Sequence, residues 1–146
     1  AALDDPANPR IALDLARLLV LQGRHEQAHA LLDALPGPSR EDVEVDALLA
    51  HLGFILAARD APSVEELVQT VASNPDDLEV RYRLGAVRLM QDDYEGAMRE
   101  LIEIVRRDRA FRDGAAHRGL LAIFRLLGDG HSAVERNRAL LQNILH

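Results

Sequence analysis

Two histidines four residues apart, with a glutamate directly after the first, are the side chains best suited by type and spacing to do chemistry. His25-Glu26-Gln27-Ala28-His29 fits the H-E-x-x-H pattern. On a helix both imidazoles face the same way and can hold zinc, with Glu26 as general base on the metal-bound water. A catalytic zinc also needs a third protein ligand. The residues that follow, Ala30-Leu31-Leu32-Asp33-Ala34-Leu35, supply neither an H-x-x-G-x-x-H continuation nor a second Glu motif. We therefore read the match as accidental and expect no catalytic residue, no metal and no cofactor, leaving a zinc hydrolase as a remote alternative.

The remaining chemistry-bearing residues have structural explanations. His51, His117, His131 and His146 are scattered, with no Ser, Cys or carboxylate partner at an interpretable spacing. The acidic pairs Glu65-Glu66, Asp76-Asp77 and Asp92-Asp93 sit at expected helix starts, where negative charge complements the helix dipole. Gly128-x-Gly130 ends a helix and follows no strand, so it is no phosphate loop. There is no cysteine, which removes thiol chemistry and fits a reducing compartment. A net charge of -7 without a basic run argues against nucleic acid and anionic membranes. No apolar run is long enough to span a bilayer, and no signal peptide is recognisable. A chain with 48% hydrophobic but only 3% aromatic residues favours helices built from Ala and Leu.

The elements that position these residues are organised around Asn74 to Asp108. Leu78, Leu84, Val87 and Leu89 mark one amphipathic helix, Asp92-Asp93 breaks it, and Ala97, Leu101, Ile104 and Val105 mark a second. Gly85 and Ala97 fall where two antiparallel helices come closest, and a large side chain at either would push them apart. This is the logic of the 34-residue tetratricopeptide repeat, whose units bury their apolar faces only by stacking. The same register makes Ala28 and Ala133 packing residues of other units.

Residues 1–9 read as a linker. The units that follow start near 9, 44, 78 and 114, giving 9–43, 44–77, 78–113 and 114–146. Within them Gly23 stops the first helix, Pro36-Gly37-Pro38 is a turn, and Ser39 with Asp42 opens a helix reaching about Arg59. Ser63-x-x-Glu66 is a capping box that starts the next. The expectation is an all-α, right-handed α-solenoid of about four tetratricopeptide-like helix pairs, eight helices in all. First helices line the concave face of such stacks. The corresponding positions here include Leu13, Arg17, Leu21, Leu52, Tyr82, Arg83, Ala86, Leu89, Met90, Arg118 and Arg125, and predict an apolar, sequence-tolerant groove with arginines at intervals.

Four stretches carry a further resemblance: Asn74-Pro75-Asp76-Asp77-Leu78, Asp93-Tyr94-Glu95-Gly96-Ala97, Ile104 to Asp113, and Leu120-Leu121-Ala122-Ile123-Phe124. Together with Ala16-Arg17-Leu18-Leu19 and Gln27-Ala28, they resemble the C-terminal half of the bacterial thioredoxin-like co-chaperones called chaperedoxins. The resemblance spans nearly the whole chain. It implies a cytoplasmic, non-enzymatic protein-binding module that follows an N-terminal thioredoxin domain absent from this sequence. The implied partners are unfolded client proteins, the chaperonin and that thioredoxin domain. The competing reading is a structural module that forms a homodimer or positions the thioredoxin domain.

Overall fold

The structure, a computed structural model, describes residues 8–146, so the expected linker lies almost entirely outside the described residues. Its last residue, Pro9, already opens a helix. Asn8 accepts the N–H of Arg10 at 2.9 Å, and proline suits the first helical position because it has no N–H to leave unpaired.

Helices α1 (Pro9–Leu21), α2 (His25–Asp33), α4 (Val43–Ala58), α5 (Val64–Ser73), α6 (Leu78–Met90), α7 (Tyr94–Arg107), α8 (Ala115–Leu127) and α9 (Ser132–Leu145) form four consecutive pairs. Between α2 and α4 lies the single-turn α3 (Gly37–Arg40), and Phe111–Gly114 forms a 3-10 turn before α8. Among the described residues there is no strand. The fold is thus all-helical and of the helical-repeat, α-solenoid class.

Each pair turns through one left-handed residue: Gly23 (φ 76°), Asp60 (φ 54°), Asp92 (φ 62°) and Gly128 (φ 89°). Such a residue just past a helix end turns the chain while the last carbonyls keep their donors. Gly23 N–H bonds Val20 O and Arg24 N–H bonds Leu19 O, and Asp92 and Asp93 repeat the pattern on Leu89 and Arg88. Two turns use glycine, which tolerates this backbone freely, and two use aspartate, one of the few other residues that visit it.

Helix starts are capped by short side chains. Ser63 accepts from Glu66 N–H at 3.2 Å, Asp77 from Val80 N–H at 3.2 Å and Asp93 from Gly96 N–H at 2.9 Å. At α4 the expectation is corrected. Asp42 is the cap, accepting from Glu44 and Val45, while Ser39 sits inside α3. His131 caps α9, its Nδ1 accepting the N–H of Ala133 at 3.2 Å.

The chain divides into two compact units, one ending at Leu56 and one spanning Ala57–His146. In the first, Ala12, Leu13 and Ala16 of α1 meet Ala28 and Leu32 of α2 and Val45 and Leu52 of α4. The second is built around α7, which packs against α6, α8 and α9 and buries Ala97, Met98, Leu101, Ile102, Ile104 and Val105. Where α6 crosses α7, a Cβ on Gly85 would stand 3.5 Å from Glu100 Cβ and 3.6 Å from Ala97 O. That is ordinary contact, so alanine fits at 85 and only larger side chains would part the helices.

Candidate protein-binding surface

The groove residues inferred from repeat position separate into three groups. Leu13, Leu52, Tyr82, Ala86 and Leu89 are buried, the first two in the core of the first unit. A side chain committed to its own core has no surface to offer a partner, so these five are corrected to packing residues. Tyr82 is held beneath Arg112, whose guanidinium lies 5.1 Å from the ring centroid and pairs with Glu79 at 2.8 Å. Burial raises the Tyr82 hydroxyl above its usual range, opposed by the positive charges of Arg112 and Arg118.

The second group is arginines that serve the fold. Arg83 donates from Nε to Ala57 O and from Nη2 to Arg59 O and Asp60 O, each at 3.1 Å. It thereby satisfies carbonyls in the last turn of α4 and just past its end, which a helix end leaves without partners. Arg118 donates to the carbonyls of Asp113 and Arg112. These two are the first of three successive left-handed residues, Arg112 (φ 46°), Asp113 (φ 55°) and Gly114 (φ 84°). Two of them are not glycine, and the guanidinium braces a backbone that would otherwise relax. Arg17 is exposed and pairs with Glu44 at 3.0 Å.

The third group does face solvent: Leu21 at the end of α1, Met90 at the end of α6 and Arg125 on α8. Repeat position did not mark their other apolar companions. The exposed large hydrophobic residues among those described are Leu15, Leu18 and Leu21 on α1, Val43 on α4, Met90 on α6, Leu121 and Leu126 on α8, Val68 on α5 and Leu140 on α9. Seven of the nine lie on first helices of pairs. Leu21 is 84% exposed, Leu126 67% and Leu18 55%, so these are side chains set in water rather than grazed by it. Periodicity alone could have pointed to Leu15 and Leu18, which with Leu21 recur every three residues beside the core stripe of Ala12, Leu13 and Ala16.

The packing positions behave differently. Ala28, Ala97 and Ala133 are fully buried, each on the second helix of its pair. Ala28 therefore lies against the core while His25 and His29 sit on the half-buried flank of α2. Among the described residues no group of three or more His, Cys, Asp and Glu side chains could hold a metal ion. His51 on α4 neighbours His25, and partial desolvation of its ring together with that histidine lowers its basicity. Among the described residues no helix is long and apolar enough to cross a membrane.

Helix pairs of about 34 residues, tight left-handed turns and small residues at the crossings define a helical-repeat protein. Residues 57–146 match a tetratricopeptide repeat family, and residues 1–52 match a second one. The chain belongs to the tetratricopeptide repeat family. It is also similar to the crystal structure of a domain of a protein of unknown function from Vibrio parahaemolyticus. That likeness has a TM-score of 0.51 and 25% sequence identity, covering 95% of this chain and 81% of the other. No curated protein matches. Repeats of this family generally mediate protein–protein interaction through extended surfaces and carry no catalytic machinery.

Proposed function

We propose that this chain is a protein-binding module that holds apolar segments of unfolded client proteins on the outward faces of its first helices. The observation that carries the reading is the concentration of exposed leucine and methionine on those helices, above all Leu18, Leu21, Met90 and Leu126. Burial of apolar surface contributes about 25 cal/mol per Å², and flexible Leu and Met side chains adapt to varied partners. Exposed arginines such as Arg125 add polar contacts that depend little on sequence. The resemblance to thioredoxin-like co-chaperones supports an unfolded client as the partner, with the chaperonin as recipient, a thioredoxin domain as neighbour and the cytoplasm as the setting.

The test is suppression of light scattering from an aggregating client. The full chain should delay aggregation, and Leu18→Glu/Leu21→Glu with Met90→Glu should abolish the delay while circular dichroism remains unchanged. Undiminished activity in the folded variant would sink the reading. A second reading rests on the same α1 stripe, which a second copy could cover to form a dimer. Sedimentation would favour it if the mass stayed dimeric on dilution and Leu18→Glu made the chain monomeric.

A further inference from the structure

The second unit carries another surface, on the opposite type of helix. Between α7 and α9 lies an open cleft of roughly 300 Å³. Glu95, Arg99, Glu103 and Arg106 recur along one face of α7, and Arg136 and Leu140 face them from α9. The lining therefore holds three arginines against two glutamates, an excess of one positive charge on a chain whose net charge is -7. Its apolar part is Ile102 at the base and Leu140 at the rim, the latter one of two exposed large hydrophobic residues on second helices among the described residues.

The state of each arginine shows what the cleft can accept. Arg106 pairs with Glu103 at 3.1 Å and Arg136 with Glu95 at 2.7 Å, both through largely exposed guanidiniums. Exposed pairs of this kind contribute little, so an incoming carboxylate can take over an arginine at small cost. Arg99, set between them and exposed, makes no hydrogen bond or ion pair among the described residues, and acts on Asp93 only through its field. A planar guanidinium with no acidic partner is suited to bidentate capture of a carboxylate. The two glutamates disfavour a dianionic phosphate or a polyanion, because each added negative charge meets them as well as the arginines.

We infer that the α7/α9 cleft docks an acidic peptide segment of a protein partner, one carboxylate on Arg99 and a neighbouring apolar side chain against Leu140 and Ile102. The site is separate from the client-holding faces of the first helices and does not depend on that reading. The test uses the full chain and a fluorescein-labelled peptide with Glu one helical turn ahead of a Leu pair, followed by anisotropy. Binding should weaken as salt rises. Glu→Gln in the peptide, or Arg99→Glu in the protein, should cost about tenfold in Kd or more, and Leu140→Ser several-fold. Met90→Glu should leave binding unchanged, which separates this site from the first-helix faces. Equal binding of the Gln peptide, an unaffected Arg99→Glu protein with native circular dichroism, or tighter binding of a phosphoserine peptide would each overturn the inference.

Discussion

Replacing either member of the Arg81–Glu100 pair should destabilise the second unit far more than replacing both. The two side chains lie at the crossing of α6 and α7, each residue 8% exposed. Arg81 donates from Nη1 to Glu100 Oε1 at 3.1 Å and from Nη2 to Pro75 O at 3.1 Å, while its Nε has no partner among the described residues. At this separation and an effective dielectric constant near 20, their attraction is about 5 kcal/mol, largely offset by the cost of removing both charges from water. Deleting one partner keeps that cost and loses the attraction. Glu100→Leu or Arg81→Met should therefore cost about 3–5 kcal/mol, a large part of the 5–15 kcal/mol that holds a typical domain. The double replacement should fall within about 1 kcal/mol of the parent chain, because apolar groups of similar volume need no compensation. Urea unfolding followed by far-UV circular dichroism gives all four corners of the cycle. Additive losses, or single losses below about 1 kcal/mol, would show that the pair is effectively solvated and refute the reasoning.

Further outcomes follow from the turns, the caps and the histidines. Gly23→Ala should cost about 1 kcal/mol although nothing lies within 4 Å of the added Cβ, since the penalty comes from φ 76° alone; thermal unfolding reads it. Gly96→Ala should destabilise α7 despite the better helix propensity of alanine. Its Cβ would fall 2.3 Å from Asp93 Oδ2 and 2.8 Å from Arg88 Cδ, displacing both cap and ion pair, and an unchanged melting temperature would contradict this. Acidification should act in two windows. His51 has a folded pKa below its ordinary 6.5, so the unfolded chain takes up the proton first; stability present above that value is lost as pH falls below it, and His51→Gln should flatten this phase. Asp93 is held below its ordinary 3.8 by the Gly96 N–H, with burial opposing and Arg88 assisting. Its contribution persists until the pH falls below about 4, and Asp93→Asn should remove only that later phase.

The helix pairs were legible in the sequence because their constraints fall on residue types. A close crossing admits only a small side chain, and Gly85, Ala97, Ala28 and Ala133 mark the crossings wherever neighbouring apolar residues keep helical spacing. The left-handed turns were half legible. Gly23 and Gly128 announce themselves, whereas Asp60 and Asp92 read equally well as caps of the following helix. The proposed binding surface was legible as a set of helices and, residue by residue, only at Leu21, Met90 and Arg125. Leu13 and Leu18 are the same residue type on the same helix, yet one is core and the other is exposed, a difference decided by which neighbours arrive from α2 and α4. Arginines were the least readable. Arg83 and Arg118 look like cations available to a partner, but their targets are backbone carbonyls, which leave no side-chain signature in a sequence. The α7/α9 cleft escaped because its arginines are interleaved with glutamates and depend on α9, distant in the chain, to become a surface.

The proposed function places client segments on the exposed apolar side chains of the first helices. A methyl-NMR titration of the full chain with a permanently unfolded, apolar peptide lacking acidic residues tests it most directly. Client holding there should give shifts concentrated at Leu18, Leu21, Met90 and Leu126, with Leu140 on α9 unmoved. Saturable shifts confined to second helices, or none at peptide concentrations that suppress aggregation of the same segment, would contradict it.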